Sequence, residues 1–408
     1  MPAKPTRCQF TILKQIVQLI PAHLVSKLAR KHEVPWRTFT PWSHVVAMLY
    51  AQLTRAIGLN DVCDALLNQR GKLSTIRGAG PPSRNGLSNA NMTRSASMAE
   101  DLFWSVLRHL ESASPAFGGR TYGGFPRRFK RVINVIDSTT INLVANCMDW
   151  AKHRRRKAAA KIHMRLNLQS FLPGFVIVDK ANEGDNLRAR ECCASLKSGE
   201  IVVFDRAYMD FKHLDDLDER GVFWVIRAMS NTQMRCTKRL IPRRQGNILR
   251  DDVVKLTGPL SSQKYAKSFR RVKAMVEVDG ELMEMTFITN NFSWAASSVC
   301  DLYKCRWAIE AFFKQIKQVL KVCDFLGHSK NAIQWQVWTA LLTYVLLRFL
   351  SFISQWAHSF TRIFTVLRAV LWNRYHLFDL LRSYGTAGGS YRMLEAPKLV
   401  YLPGLSPS

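Results

Sequence analysis

Two short apolar runs that each stop at an aspartate constrain this chain more than any other feature. VINVI runs into Asp137, and IVVF, Ile201 to Phe204, runs into Asp205. Each is shorter than a helix core and lacks the alternation of a half-buried strand, so each reads as a strand buried in a sheet. A rigid strand that ends on a carboxylate carries that group to where the scaffold meets solvent, a frequent place for function. Taken singly, an aspartate after a strand is as readily a turn residue or a helix cap. The pair needs a third group before it implies chemistry.

That group stands in LYKCRWAIEAFFKQIKQVL, where Tyr303, Arg306, Glu310 and Lys317 occupy relative positions 0, 3, 7 and 14. As one continuous helix at about 100° per residue they fall at roughly 0°, 300°, 340° and 320°, a single stripe. Ile309, Phe312, Phe313, Ile316 and Leu320 fall at about 180° to 280° and form the neighbouring apolar face. One side packs, and beside it stand a carboxylate, two cations and a phenol, a set suited to a metal ion and a phosphate together. The plain alternative is a solvated helix with spaced ion pairs.

Charge bears on that choice. The chain carries 59 Lys+Arg against 30 Asp+Glu, a formal charge of +29. Such an excess repels itself in a compact fold, and a nucleic-acid partner is its simplest explanation. Arg154, Arg155, Arg156 and Lys157 form a dense basic run expected to track phosphates, with a solvated loop as the alternative. Arg243 and Arg244, then Arg270, Arg271 and Lys273, place similar charge further on. A membrane partner has no support, because no basic amphipathic helix or lipidation motif occurs. The most apolar segment, Val337 to Leu347, falls short of a membrane span, ends at Arg348 and is expected to be a core helix. The first residues lack the apolar run and cleavage site of a signal peptide. Nine cysteines without CxxC or Cys/His spacing point to free thiols in a reducing cytoplasm, not to zinc. Asp179, Glu183 and Asp185 cluster round Gly184 and read as a turn before a metal site. His163 lies mid-strand and is expected to be structural. With no Ser/His/Asp order, P-loop or GxGxxG, hydrolase, ATPase and dehydrogenase readings have no anchor.

The chain changes character twice. Residues 1–117 read as a helical N-terminal domain, expected to bind DNA, with helices over Phe10–Ile20, His23–His32, Trp42–Leu53, Asp61–Leu67 and Ala99–Leu110. The stretch GAGPPSRNGLSNANMTR from Gly78 reads as a loop by composition. Residues 118–325 form the catalytic domain. There VINVI, IHMRLNL and FVIV make a three-stranded meander, and Leu187–Leu196 is helical ahead of IVVF. A β-rich insertion at about 215–290 holds VKAMVEV and ELMEMTFIT, which meet at Asp279-Gly280, a hairpin signal. Residues 326–408 form a C-terminal helical region and a loose tail.

Tyr303-x2-Arg306-x3-Glu310-x6-Lys317 matches in full the Tyr-Arg-Glu-Lys signature of the insertion-sequence-four family of bacterial DDE transposases. VINVIDSTT and IVVFDRAY resemble the segments that carry that family's two aspartates, about 68 residues apart here and followed by about 105 more to Glu310. FITNNFSW and FLGHSKNAIQWQVWTALLTYVLL resemble family members too, so the likeness covers roughly residues 5 to 355. It implies an α/β fold, an RNase H-like catalytic domain interrupted by a β-rich insertion, with helical N-terminal and C-terminal regions. By the same resemblance Asp137, Asp205 and Glu310 would be catalytic and would hold two Mg²⁺ ions, or Mn²⁺ in their place. Tyr303, Arg306 and Lys317 would contact phosphates. Trp307 is a candidate to stack on a displaced base, with a core aromatic as the equal alternative, and Trp294 is a second. Arg206 follows the second aspartate as a basic residue does in the family, or pairs with a carboxylate. The implied activity is cut-and-paste transposition: cleavage at the ends of an element, then attack of the freed 3′-hydroxyl on target DNA. The implied setting is a homodimer in a synaptic complex with double-stranded DNA, a hairpin on the transposon end, a cytoplasmic, nucleoid location and no membrane. The rivals are a nuclease of the same fold and a catalytically silent DNA-binding protein.

Overall fold

The computed structural model describes residues 5–119, 129–143, 152–154, 157–180, 185–241, 243–278, 280–319 and 326–384. Local signals set most of the early boundaries. Thr11 caps α1 (Ile12–Val17), α2 spans Leu24–Lys31, and Thr40 caps α3 (Pro41–Thr54), which has proline in its first turn. Then come α4 (Leu59–Asn68), α5 (Arg70–Ser74), α6 (Arg84–Thr93) and α7 (Ala96–Ala113). Helix α6 lies where composition predicts a loop. Gly86, Asn85 and Asn89 argue against a helix, but the Ser83 side chain accepts from the Gly86 N–H, and Leu87, Ala90 and Asn91 are buried. Capping and a buried face outweigh weak propensity.

The rest of the chain runs β1 (Ile133–Leu143), β2 (Lys152–Arg154), β3 (Lys157–Asn167), β4 (Leu172–Lys180), α8 (Asp185–Cys193), β5 (Ile201–Phe204), α9 (Phe211–Glu219), β6 (Phe223–Arg227), β7 (Met234–Arg239), β8 (Ile248–Leu256), α10 (Pro259–Lys264), β9 (Phe269–Val278), β10 (Glu281–Thr289), α11 (Ala296–Lys304), α12 (Trp307–Val319), α13 (Lys330–Ile353), α14 (Phe360–Ala369) and α15 (Leu377–Ser383). The expected hairpin forms between β9 and β10, with Val278 paired to Glu281 and Gly280 left-handed at φ 85°. Asp279 and most of the expected tail lie outside the described residues.

The chain divides into two units. The first draws on Met1–Gly119, Ile141–Ala160 and Phe313–Pro397. Its centre is α13, the one described helix long and apolar enough to cross a membrane, and mostly buried inside the protein. Trp338 packs its ring 5.5 Å from Phe103, and Trp335 lies 4.3 Å from His44 while donating its indole N–H to the Arg94 carbonyl at 2.7 Å. Asn331 accepts from the Ala96 N–H at 2.9 Å and so caps α7 from outside. Residues 1–117 and 326–384, expected as separate domains, therefore share one core. A helix with almost no polar face cannot be covered by its sequence neighbours alone, and α3, α6 and α7 complete its wrapping.

The second unit draws on Arg120–Thr140, Lys161–Phe312 and Lys398–Ser408. Its sheet runs β3-β1-β5-β6-β10-β9-β8-β7, with β4 also on β3. β1, β5 and β6 are parallel, and β10, β9, β8 and β7 follow antiparallel. Continuous apolar runs suit such central strands, which are covered on both faces. Ile136, Phe204, Trp224, Phe269 and Ile288 pack on one face with Leu214, Leu217 and the adjacent thiols Cys192 and Cys193. The strands of the expected insertion extend this sheet.

Candidate active site

β1 and β5 pair in parallel from Ile133↔Ile201 to Ile136↔Phe204, so Asp137 and Asp205 take the next positions on adjacent strands. Neighbouring strands lie roughly 4.8 Å apart, and successive side chains alternate between faces. Ile136 and Phe204 enter the core, so both aspartates face the other side. Sixty-odd residues of separation collapse to one strand spacing. The two ends differ from expectation in one respect. β5 does stop at Phe204, and Asp205 leads into a single 3₁₀ turn, Arg206–Tyr208. β1 instead continues through Asp137 to Leu143. Only its β5 partner is lost there, and the β-branched Thr139, Thr140 and Ile141 keep it extended beside β3.

The third carboxylate arrives on two helices, not one. α11 ends at Lys304 and α12 begins at Trp307. Across the joint the Arg306 N–H donates to the Tyr303 carbonyl, and Ile309 to Arg306, both 3.0–3.1 Å and both spanning three residues. This tighter turn corrects the stripe drawn on a uniform helix, because side chains three apart eclipse in 3₁₀ geometry. Arg306 accordingly sits 5.7 Å over the Tyr303 ring. That ring packs 4.9 Å from Phe287 on β10, and its hydroxyl donates to Asp205 at 3.2 Å. The Arg306 Nη1 donates to Asp137 at 2.9 Å and to Glu310 at 2.8 Å. Side-chain exposure is 10% for Arg306, 16% for Asp137 and 49% for Glu310, so the cluster opens on the Glu310 side.

Burial pushes the Asp137 carboxyl up to about 6; Arg306 and the Ser138 N–H pull it back, and the charges of Asp205 and Glu310 add to the rise. Burial likewise lifts the Tyr303 phenol to about 12, with Arg306 opposing and Asp205 adding. Tyr303 is thus a donor at any physiological pH. Burial alone would lower Arg306, but Tyr303, Asp137, Glu310 and Asp205 outweigh it and hold the guanidinium charged. Three carboxylates from three elements therefore act on one buried cation. As they stand, no three His, Cys, Asp or Glu side chains among the described residues enclose a metal ion, and the guanidinium lies between Asp137 and Glu310. The donor set nevertheless suits a hard divalent cation: oxygen only, anionic, and already drawn round a positive charge.

The remaining expected residues divide. Trp307 and Lys317 are half-buried on α12, Lys317 within the first unit. Arg206 is exposed beside Asp205. Arg154 lies on β2, while Arg155, Arg156 and Glu183 lie outside the described residues. Trp294 is half-buried, packing edge-on against Phe129 at 5.7 Å and tilted against Phe223 at 5.4 Å. Arg270 is buried in a two-pronged pair with Asp251 at 2.7 and 2.6 Å, Arg271 pairs with Asp252 at 2.5 Å, and Lys273 pairs with Glu284 at 2.7 Å. Those three charges bind the sheet to itself. Asp179 pairs with Arg188, and His163 is buried in β3. Sequence reasoning missed Arg227. It ends β6 directly across from Phe287, and its charge acts on the Tyr303 hydroxyl. The signal was present: FWVI runs into a cation as VINVI runs into an anion.

The profile described as transposase DDE domain matches residues 128–346. Another, described as a domain of unknown function (DUF4372), matches residues 9–76. A probable transposase for insertion sequence element IS5377 of Geobacillus stearothermophilus is 28% identical over 225 residues, 55% of this chain and 58% of that protein. A putative transposase y4zB of Sinorhizobium fredii (strain NBRC 101917 / NGR234) is 29% identical over 271 residues, 65% of this chain and 71% of that one. The match thus spans less than two thirds of the first relative's length. A piggyBac transposase synaptic complex with hairpin DNA overlays with a TM-score of 0.46 at 10% identity, over 91% of this chain and 83% of that chain, too loosely to bear on the fold.

Proposed function

We propose, from the premise that this chain belongs to the transposase DDE domain family, that it is a DNA transposase whose catalytic carboxylates are Asp137, Asp205 and Glu310. The observation that carries this reading is that Asp137 and Glu310 clamp the Arg306 guanidinium while Asp205, at the end of the adjacent parallel strand, is held beside them by Tyr303. The order β4-β3-β1-β5-β6 with β1, β5 and β6 parallel supports an RNase H-like core, with β7–β10 as the insertion.

Asp137, Asp205 and Glu310 would hold divalent ions, Mg²⁺ or Mn²⁺, two per site. When bound, these supply charge that activates the attacking hydroxyl and stabilises the leaving oxygen of an in-line displacement. Everything else is done by side chains of the chain. Asp137 must be anionic to serve, and burial favours its neutral form, so cation binding is coupled to proton loss as the pH falls to about 6 and below. Tyr303 holds Asp205 in one orientation with a proton it does not give up. Arg306 and Lys317 would grip the phosphates at the end of the element, and exposed Arg206 extends that grip. The substrate is double-stranded DNA, cut at terminal inverted repeats and joined to a target by a homodimer in a synaptic complex. The helices of residues 1–117 would add a DNA contact, and Trp307 would stack on a displaced base.

Cleavage and strand-transfer assays on element ends test this. Asp137→Ala, Asp205→Ala and Glu310→Ala should each abolish Mg²⁺-dependent cleavage while leaving DNA binding. Nicked products that are never joined would make the chain a nuclease, and cleavage indifferent to all three substitutions would remove the site.

A further inference from the structure

We infer that the β7–β8 hairpin is a second DNA-contact surface, a ledge that binds the phosphates of duplex DNA on the same face of the sheet as the carboxylates. The inference rests on the reading that the chain acts on DNA. β7 is the last strand of the sheet, and its residues from Arg235 to Arg239 are exposed. Arg235 pairs directly with Lys255, both exposed, so two like charges face each other across the ladder. Such a pair destabilises a sheet unless an anion lies over it. The pairing then skips Thr237 and resumes at Lys238↔Val253. Val253 and Lys255 are two apart on β8, so Arg235, Lys238 and Lys255 share one face. Arg239, Arg243 and Arg244 are exposed close by. The hairpin's own acids, Asp251 and Asp252, are buried in pairs with Arg270 and Arg271 and neutralise none of this charge.

Ladder register identifies the face. Val253 pairs with Arg270 on β9; two residues on, Val272 pairs with Phe287 of β10, which packs against Tyr303. Tyr303 reaches Asp205 on that side. The cation row thus lies on the face that carries the active carboxylates. From β5 to β7 there are five strand steps, about 24 Å at ~4.8 Å each. At ~3.4 Å per base pair that is roughly seven pairs inward from the reacting end. A duplex entering the site could lie along this face and meet the ledge. The edge is a poor template for a second copy of the chain, because pairing β7 with itself would set cations against cations.

Fluorescence anisotropy of the full chain on a labelled duplex of about 30 base pairs, read across a salt series, tests the inference. The variant Arg235→Gln/Lys238→Gln/Lys255→Gln should bind at least tenfold more weakly at moderate salt. Its slope of log affinity against log salt should fall by about 2.7, three contacts at ~0.9 each. The control Lys197→Gln/Lys264→Gln should keep the wild-type slope. If the triple variant does not fold, Lys238→Gln alone should lower the slope by about 0.9. A wild-type slope in either folded variant overturns the ledge while leaving the DNA reading intact. A shift from dimer to monomer in sedimentation, with the slope unchanged, overturns it in favour of self-association. Wild-type protein that binds no duplex at any salt removes the DNA reading and the ledge with it.

Discussion

Arg306 is the residue on which the site turns. Its spacing marked it as a phosphate contact, and in the protein as it stands its Nη1 bridges Asp137 and Glu310. A cation that bridges carboxylates in a buried cluster is costly to remove, since it leaves like charges unscreened. Arg306→Gln is expected to lower metal-free stability by about 3–5 kcal/mol. Because Asp137 and Glu310 then lose their shared counter-charge, Mn²⁺ should raise the melting temperature of this variant more than that of the wild type, by mass action on the folded state. Equal melting curves without metal would refute this role of Arg306. Tyr303→Phe is the milder case. The ring still packs on Phe287, and losing the hydroxyl bond to Asp205 should cost about 1 kcal/mol in a denaturant titration. These roles were legible in the sequence as chemistry but not as geometry. Spacing gathers Tyr303, Arg306 and Glu310 on one side, whereas which carboxylate each one meets depends on strands that the local pattern does not pair. Arg227 stayed hidden for the same reason, its partner lying across a ladder.

Elements show where local rules were overruled. α3 carries His44 into a fully buried place, with its ring N–H edge 2.8 Å from the Asn91 side-chain oxygen of α6. Burial drives its pKa down from 6.5 to about 3, with the Asn91 bond opposing and Arg94 adding. The folded protein then holds His44 neutral while the unfolded chain takes up a proton below about pH 6.5, so stability falls as pH drops through 6.5 towards 3. Between pH 7 and pH 5 this single group should cost about 2 kcal/mol. His44→Gln should lose correspondingly less over that interval, which denaturant titrations at the two pH values would reveal; equal losses in both proteins would disprove the assignment. The same scale explains the other departures. Composition predicts a loop at α6 because its glycine and asparagines are poor helix formers, and only the Ser83 cap and the burial of Leu87 overturn that. The α11–α12 joint cannot be seen in a periodicity that assumes 3.6 residues per turn. β1 ran past Asp137 because a buried run that ends does not mean a strand that ends.

At the scale of the whole chain the strands of the second unit were largely foreseen, and the partition of the helices was not. Composition divides residues 1–117 from 326–384 because more than two hundred residues of sheet-forming sequence intervene, and no local signal crosses that distance. Hydrogen bonds join them at specific points. Cys8 N–H donates to the Arg374 carbonyl at 3.0 Å, His376 N–H to Thr6 at 2.8 Å, and Leu377 N–H to the Gln15 side chain at 3.0 Å. Trp335 and Trp338 of α13 complete the core that α3, α6 and α7 begin. The helical region matched by the domain of unknown function is therefore not expected to fold as a separate piece. A fragment of residues 1–119 leaves exposed the apolar faces that α13 covers, and apolar patches of that size drive aggregation or a loose collapsed state. It should show reduced helix signal, bind a hydrophobic dye and lack a cooperative thermal transition. Adding residues 326–384 as a second chain should restore cooperative unfolding in proportion to concentration, as mass action requires. In the full-length protein, Trp335→Ala removes a buried ring and its bond to Arg94, and should destabilise the helical unit by about 3–5 kcal/mol. A fragment 1–119 that melts cooperatively alone, near the temperature of the whole protein, would instead restore the domain boundary that composition suggests.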